Sequence, residues 1–290
     1  MKPTVGFIGL GLMGKPMALN ILKNEFPLVV YNRTSSKTEE LQTAGAKVAE
    51  SPKGVAEVSD IVIIMVTAPE DVEEVVFGNN GIVTANKKDL TVVDMSTIGP
   101  TAAIKIAEKL KSSGISFIDA PVTGSTPKAI TGELTIFIGG EEAVFEKVKP
   151  VLLAMGTTLH YMGKNGTGQA IKLVNNFLVA ADTIAVSEAV LLADKMGLSR
   201  EKVAEALKTA TGTSPAMNLA LPNFITNEFP AKFSLANLKK DVSLASQEME
   251  KNSLSLPTLK HAKELYDNGM DKNLGSEDFS AIMKIVSKEE

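Results

Sequence analysis

The fold class follows from one stretch near the start of the chain, Val5-Gly6-Phe7-Ile8-Gly9-Leu10-Gly11-Leu12-Met13-Gly14. Its first four residues are an apolar run too short for a helix, which predicts a buried strand. The next six fit the pattern G-x-G-x-x-G and lead into helical spacing that continues to Lys23. Glycines at these positions permit a tight turn, close backbone approach to a pyrophosphate and close packing of helix on strand. The stretch therefore predicts a Rossmann-type dinucleotide-binding unit. The predicted cofactor-binding residues of the turn are Gly9, Gly11, Leu12, Met13 and Gly14.

Further apolar runs recur at the spacing of an α/β protein. Leu28–Tyr31, Ile61–Val66 and Leu90–Asp94 are apolar on both faces, as parallel strands covered by helices on both sides are. With a short strand at Val48 and later strands beginning at Phe117, Leu134 and Thr158, they predict a doubly wound, mainly parallel sheet. Such sheets bind ligands at the carboxyl ends of their strands. The residues expected on the nicotinamide side are therefore Val66, Thr67 and Thr97.

The turn after the second strand, Asn32-Arg33-Thr34-Ser35, favours a phosphorylated dinucleotide. It lies about twenty residues after the glycines, where an NAD-binding fold usually offers a carboxylate to the ribose hydroxyls. This turn has no carboxylate, which would repel a 2′-phosphate, whereas Arg33 can pair with that phosphate. Arginine is rare in this chain, since the only other one is Arg200. We predict NADP(H), bound by Asn32, Arg33 and Thr34; the alternative is a solvated turn arginine.

The composition, with 44% hydrophobic and 22% charged residues, is that of a soluble globular protein. A net charge of −4 gives no sign of a nucleic-acid partner. The chain has no cysteine and only two histidines, which excludes thiolate chemistry and argues against a metal site. Neither a signal-peptide pattern nor an uncharged apolar run of membrane-spanning length stands out. We expect a cytoplasmic protein without a membrane partner.

The character of the sequence changes near residue 163. A long apolar helix is predicted from about residue 165 to residue 195, and helical patterns continue to the end. We predict a cofactor domain, residues 1–163, and an all-helical domain, residues 164–290. The long helix has more apolar surface than one small domain hides, so we expect it to join the domains and to form a homodimer or homotetramer together with the C-terminal domain. The later predicted helices are Glu201–Thr209, Pro215–Asn223, Leu235–Lys251, Leu256–Asn268 and Phe279–Lys288.

The long helix begins with an unusual pair of polar residues. Lys172 and Asn176 lie one turn apart, so they share a face of a mostly apolar helix. One interpretation is a solvated lysine on a half-exposed helix. The other is a lysine that transfers a proton, with a polar partner beside it.

A second candidate site follows the strand that begins at Phe117. Thr123 and Ser125 carry hydroxyl groups, and the amides of Gly124 and Ser125 can donate hydrogen bonds, so the turn can bind a carboxylate. The alternative is ordinary turn chemistry, for which these residue types are also typical.

In four segments the sequence resembles the β-hydroxyacid dehydrogenase family, which includes 3-hydroxyisobutyrate dehydrogenases, tartronate semialdehyde reductases and glyoxylate/succinic semialdehyde reductases. The segments are Gly9–Ala18, Asp119–Gly124, Gly166–Asn176 and Leu238–Asp241. The resemblance covers essentially the whole chain. The roles that it implies are catalysis by Lys172, carboxylate binding by Thr123, Gly124 and Asn176, cofactor contact by Lys240, and closure of the site by Asp241 with Phe233.

One departure from the family pattern bears on the substrate. The family usually has serine-glycine-glycine where this chain has Thr123-Gly124-Ser125. The extra methyl group and the Ser125 side chain, which we include among the substrate-binding residues, leave the size of the small carboxylate substrate open.

The expected reaction is reduction of a semialdehyde or of glyoxylate by NADPH, because a lysine with an ordinary pKa of about 10.4 is a proton donor at neutral pH. Short-chain dehydrogenase chemistry is disfavoured, since no tyrosine is followed four residues later by lysine. The alternatives are an NAD-preferring 3-hydroxyisobutyrate-type dehydrogenase, an imine reductase, which generally lacks the lysine, and a non-catalytic NADP-binding protein.

Overall fold

The computed structural model describes residues 2–287. The chain divides into two compact units, residues 1–172 and residues 173–290, and the division falls inside one long helix. Each unit has hydrophobic core residues of its own. The domain boundary predicted near residue 163, just before that helix, stays a prediction.

The described part of the first unit contains a nine-stranded sheet. Its strands are β1 (Val5–Ile8), β2 (Leu28–Tyr31), β3 (Lys47–Val48), β4 (Ile61–Ile64), β5 (Thr91–Asp94), β6 (Ser116–Asp119), β7 (Val122–Thr123), β8 (Leu134–Gly139) and β9 (Gly156–Gly163). The spatial order is 3-2-1-4-5-6-8-7, with β9 beside β8. Strands β1 to β6 pair in parallel, and β8 runs antiparallel to β6 and β7. The order 3-2-1-4-5-6 is that of the dinucleotide-binding fold, which confirms the predicted Rossmann-type sheet.

Helices cover both faces of this sheet. They are α1 (Gly14–Lys23), α2 (Glu39–Thr43), α3 (Pro52–Val58), α4 (Pro69–Phe77), α5 (Pro100–Ser112), α6 (Ser125–Thr131) and α7 (Glu142–Leu152). Successive strand residues point to opposite faces, so Phe7 packs in the cluster with α1 and α7, and Ile8 in the cluster with α3, α4 and α5. The central strands β1, β2 and β4 are apolar and almost entirely buried, and this made them readable from the sequence.

One strand end and one turn near the site can be compared with their predictions. The strand predicted to reach Val66 ends at Ile64, because the chain turns toward α4 at the sheet edge. The turn predicted at Thr123-Gly124-Ser125 is observed: Thr123 ends β7, and α6 begins at Ser125.

The second unit is helical. The helices are α8 (Thr167–Lys195), which begins in the first unit, then α9 (Arg200–Leu207), α10 (Pro215–Thr226), α11 (Leu235–Lys251), α12 (Pro257–Asp271) and α13 (Ile282–Val286). Serine residues cap α9, α10 and α11 through their hydroxyl groups. The last predicted helix begins as a 3₁₀ turn at Phe279–Ala281, and its predicted end, Lys288, lies outside the described residues.

Helix α8 has the length and hydropathy of a membrane-spanning helix, with a mean hydropathy of 1.6 over its most apolar window. The sequence has no uncharged apolar run of that length here, because Lys172, Asp182 and Glu188 lie within the helix. In the structure 44% of that window is buried inside the protein. A core helix of a globular protein passes the same test of length and composition.

Candidate active site

The glycine turn between β1 and α1 has the close packing that a dinucleotide-binding turn requires. Gly9 has a left-handed φ of 99°, and a Cβ at Gly14 would collide with the Gly9 carbonyl oxygen. A Cβ at Gly11 would meet no described atom within 4 Å, so the backbone there is open to a ligand. The turn therefore fits a pyrophosphate at the start of α1.

Asn32 fastens this turn to the end of β2. Its Oδ1 accepts a hydrogen bond from the Leu10 amide at 2.8 Å, and its Nδ2 donates to the Thr34 carbonyl oxygen at 2.9 Å. The predicted cofactor residue Asn32 thus shapes both turns that a dinucleotide would contact. A carboxylate at this position could accept the first bond but could not donate the second.

A cavity of about 590 Å³ lies beside both turns, within the size range of small-ligand sites. It brings together seven of the predicted cofactor residues. These are Gly9, Gly11, Asn32, Arg33, Thr34, Val66 and Thr67. Lys37, which was not predicted, also lines it.

The Arg33 side chain is 90% exposed and available to a ligand. Its guanidinium lies 3.8 Å from the Asp71 carboxylate on α4, a distance and exposure at which an ion pair is weak. Arg33 and Lys37 add two positive charges to the end of the cavity where the chain lacks the usual ribose-binding carboxylate. The lining also includes three carboxylates, those of Glu50, Asp71 and Glu74.

Five predicted cofactor residues are not among those that line this cavity, namely Leu12, Met13, Gly14, Thr97 and Lys240. Leu12 is 70% exposed and lies in a separate groove with Leu19 and Ile130. The Met13 sulfur lies 3.9 Å from the Thr126 hydroxyl oxygen. Thr97 lies on the loop between β5 and α5. The glycine motif could not show whether Leu12 and Met13 line the cavity, because it specifies only the glycines.

That loop is joined to the end of β4 by a serine. Ser96 is buried, and its Oγ accepts a hydrogen bond from the Val66 amide at 3.0 Å. Its own amide donates to Asp94 Oδ1 at 3.1 Å. The two chain segments expected on the nicotinamide side, Val66–Thr67 and Thr97, are therefore held together at the carboxyl edge of the sheet.

The start of α8 is capped by a buried acid from β6. Asp119 Oδ1 accepts from the Gly166 amide at 2.8 Å, and Oδ2 accepts from the Gln169 amide at 3.0 Å. Burial raises the pKa of Asp119 to about 6, even though both amide bonds favour the carboxylate. At neutral pH the group is therefore mainly ionised, and its charge complements the helix N-terminus.

Lys172 lies on the second turn of α8 and is 7% exposed. A buried lysine is rarely found unless it has a partner or a function, since desolvation disfavours its charge. Burial argues against the interpretation of Lys172 as a solvated surface residue.

The predicted carboxylate-binding turn has one strained residue. Thr123 ends β7, Gly124 has a φ of 130°, and Ser125 has a left-handed φ of 58°. A non-glycine residue in this region costs about 1–3 kcal/mol when the surrounding structure imposes it. Glycine would adopt this backbone conformation more readily than serine does. Ser125 therefore occupies a position that is conformationally unfavourable for it.

In the second unit, three predicted site residues form one polar cluster. Asn176 Nδ2 donates to Asp241 Oδ2 at 2.6 Å, and both residues are 2% exposed. The Lys240 ammonium lies 3.0 Å from Asp241 Oδ1, as an ion pair without hydrogen-bond geometry. Asn175 donates from its Nδ2 to Asn176 Oδ1 at 2.9 Å. The buried carboxylate thus has both a charged and a neutral partner, as burial of an ion requires.

Phe233 is held at the start of α11 by a buried acid. Its amide donates to Asp278 Oδ2 at 3.4 Å, and its ring packs at 6.2 Å from the Phe279 ring. Asp278 also accepts from the Lys232 amide and the Asn223 side chain. The segment that carries Phe233 is therefore anchored within the second unit.

Comparison with known protein families covers both units. Residues 4–163 match the NAD-binding domain of 6-phosphogluconate dehydrogenase, and residues 166–286 match the NAD-binding domain of NADP-dependent 3-hydroxyisobutyrate dehydrogenase. The chain belongs to the β-hydroxyacid dehydrogenase family. As a member of this family it is an oxidoreductase with a nicotinamide cofactor.

Individual β-hydroxyacid dehydrogenases are similar over nearly their whole length. The chain is 39% identical to the 2-hydroxy-3-oxopropionate reductase of Escherichia coli, over 97% of this chain and 96% of that protein. It is 36% identical to the 2-(hydroxymethyl)glutarate dehydrogenase of Eubacterium barkeri, over 97% and 94%. The crystal structure of a 3-hydroxyisobutyrate dehydrogenase from Salmonella typhimurium superposes with a TM-score of 0.89 at 27% identity, over 97% of this chain and 99% of that one.

Two residues of this β-hydroxyacid dehydrogenase, Asp119 and Gln169, were not predicted from the sequence as residues that shape the site. Asp119 caps the helix of Lys172 from a strand about fifty residues earlier, and Gln169 reaches the loop after β5. Both residues lie inside the segments that resemble the family, so the resemblance was a signal that could have pointed to them. Their hydrogen-bond partners are far away in sequence, so the contacts themselves could not be predicted.

Proposed function

We propose that this protein is an NADP(H)-dependent reductase of a small aldehyde or ketone that carries a carboxylate. The observation that carries this proposal is the burial of Lys172 on a capped helix that starts at the carboxyl edge of the cofactor-binding sheet. The position is suited to a group that meets the substrate beside a nicotinamide, because ligands of this fold bind at that edge.

The cofactor would be held by the glycine turn and by the charged turn after β2. Backbone amides at Gly11 and the start of α1 would bind the pyrophosphate, while Arg33, Thr34 and Lys37 would bind the 2′-phosphate. We propose that Lys240 also contacts the cofactor, as the family resemblance implies. When bound, NADPH supplies a hydride for the carbonyl carbon.

Lys172 would supply the proton for the same reduction. Its ammonium donates a proton to the carbonyl oxygen as that oxygen becomes a hydroxyl group, which leaves a neutral amine to be reprotonated from solvent. In the oxidation direction the neutral amine would accept the hydroxyl proton. We therefore expect reduction to dominate near neutral pH, where a lysine is mainly protonated.

The substrate carboxylate would be bound by hydroxyl and amide groups. We propose Thr123, Gly124 and Ser125 for this role in the first unit and Asn176 in the second. Asp241, with Phe233, would close the site, as the family resemblance implies. The names of the similar proteins support the substrate class, because each describes a carboxylic acid with an alcohol or aldehyde carbon close to the carboxyl group.

A substrate panel tests this function. Glyoxylate, succinic semialdehyde, tartronate semialdehyde and methylmalonate semialdehyde would be assayed with NADPH under one condition, with butanal as the matched control for succinic semialdehyde. We expect at least one acid to be reduced with a kcat/KM at least tenfold above butanal, because a charged hydrogen bond contributes about 1.5–3 kcal/mol. Equal turnover of butanal, or turnover of none of the four acids, would refute the carboxylate class.

We also propose that two or four copies associate through α8. Three large side chains on this helix and a fourth just after its end are all more than half exposed, and at 100° per residue they lie within an arc of about 40°. They are Val174, Leu178, Leu192 and Met196. A continuous apolar stripe of this kind is typical of a surface that a partner covers.

Light scattering tests the association. Wild-type protein should have a dimeric or tetrameric mass, and Leu178→Glu with Leu192→Glu should lower that mass. The control is Leu254→Glu, an exposed leucine outside the stripe, which should leave the mass unchanged. A monomeric mass for the wild-type protein would rule out the proposal.

A further inference from the structure

Gln169 makes an unusually complete set of buried hydrogen bonds. Its side chain is fully buried; Oε1 accepts from the Ile98 amide at 3.0 Å and from the Gly99 amide at 3.1 Å. Its Nε2 donates to the Ser96 carbonyl oxygen at 2.8 Å. The reversed amide would place N–H groups against two other N–H groups, so these partners fix its orientation. Its contacts lie on both sides of Thr97, on the loop expected beside the nicotinamide.

The backbone of the same residue is fixed from another direction. The Gln169 amide donates to Asp119, which also accepts from the Gly166 amide. Between them, a Cβ at Gly168 would lie 2.6 Å from the Phe137 carbonyl oxygen, so the helix rests directly on the ends of β6 and β8. The first turn of α8 therefore has little freedom to rotate or to slide.

Lys172 follows Gln169 by three residues, so the two side chains emerge on the same side of the helix in successive turns. A rotation of the first turn would carry the lysine with it. The loop that Gln169 binds is held in turn by Ser96, whose hydroxyl accepts from Val66. One hydrogen-bonded chain thus connects the ends of β4 and β5 to the helix of Lys172.

We infer that Gln169 is a positioning residue that sets the place of the Lys172 ammonium relative to the nicotinamide-side loop. This inference rests on the proposed role of Lys172 in proton transfer. Gln169 would contact neither substrate nor cofactor, and its effect would pass through the geometry of the proton transfer. Misplacement of a catalytic group by about 1 Å can lower a rate by about 100-fold.

The test is Gln169→Met, which keeps the length of the side chain and removes all three hydrogen bonds. We expect kcat to fall about 10- to 100-fold. The Kd for NADPH should change less than threefold, because Gln169 would not contact the cofactor. The kinetic isotope effect on kcat, measured with NADPH deuterated at nicotinamide C4, should increase. In the free protein, hydrogen exchange of the Ile98 and Gly99 amides should become faster. Val151→Ala, a core substitution on α7, serves as the control of similar stability loss, and its kcat should stay within twofold of wild type.

A second variant guards against misfolding. Gln169→Glu keeps an acceptor for Ile98 and Gly99 but loses the donor to Ser96, and its kcat should lie between those of wild type and Gln169→Met. If Gln169→Met and Gln169→Glu lower only the melting temperature and keep a normal kcat, the inference is wrong and the role of Gln169 is structural.

A double variant separates this inference from the proposed function. In a Lys172→Ala background, Gln169→Met should lower kcat no further, because the group that it positions has been removed. A further tenfold loss would show that Gln169 acts elsewhere and would overturn the inference alone. Normal turnover by Lys172→Ala itself would overturn both the proposed function and the inference.

Discussion

Replacing Lys172 with alanine is expected to lower kcat for semialdehyde reduction at least ~100-fold, because proton transfer by a positioned side chain contributes about 10²- to 10⁴-fold. The Kd for NADPH should remain within threefold of wild type, since the lysine is not part of the proposed cofactor-binding turns. Steady-state kinetics and fluorescence titration with NADPH measure the two quantities separately. The matched control is Lys195→Ala, at the exposed end of the same helix, which should keep normal turnover.

Chemical rescue sharpens this test. A small primary amine in the buffer should restore part of the kcat of Lys172→Ala, and stronger acids within a series of ammonium ions should restore more in the reduction direction. Turnover by Lys172→Ala within threefold of wild type would remove Lys172 from the mechanism. A loss that appears only in KM would instead assign it to substrate binding.

Replacing Arg33 with alanine is expected to lower kcat/KM for NADPH about 10- to 100-fold and to change kcat/KM for NADH less than threefold. The reason is that a charged hydrogen bond to the 2′-phosphate contributes about 1.5–3 kcal/mol, and NADH has no such phosphate. Parallel kinetics with both cofactors measure the ratio directly. The wild-type protein should prefer NADPH.

Asp71 provides the control for this prediction. Asp71→Asn keeps an acceptor oxygen for the Ala68 amide at the start of α4 but removes the charge that faces Arg33. It should leave NADPH use unchanged or improve it, because the guanidinium no longer has a competing anion. Better use of NADH than NADPH by the wild-type protein would show that the turn favours NAD, which is the alternative left open by the sequence.

The sequence predicted the framework because the relevant signals are local. A strand buried on both faces is apolar at every position, and the turn from β1 to α1 needs glycine within six residues. Helix α11 was predicted at its observed bounds, Leu235–Lys251. In each case the pattern and the structure depend on neighbouring residues.

The buried polar contacts could not be predicted in the same way. Asp119 and Gln169 both occur in segments that resemble the family, but their partners come from separate strands and loops. A period of two or of 3.6 residues says which face of an element is buried. It does not say that a carboxylate on one strand will cap a helix that begins about fifty residues later.

The turn proposed to bind the substrate carboxylate was predicted, but the helix after it was not. Glycine, serine and threonine are typical of turns, and the sequence predicts a turn at Thr123-Gly124-Ser125. The structure places α6 directly after Gly124 and holds Ser125 in a left-handed conformation. Composition indicated a turn, but the antiparallel pairing of β7 with β8 decides where the helix begins.

The exposed turn that carries Arg33 differs in kind from the buried network around Gln169. A mutation of Arg33 changes a side chain that is 90% exposed, so it can alter cofactor choice without disturbing the fold. Mutations in the network would affect several elements at once. Selection can therefore move such a protein between metabolic pools of NADPH and NADH by a few surface changes, while the acid–base chemistry is inherited intact. Cofactor use should accordingly diverge faster among its descendants than the reaction itself.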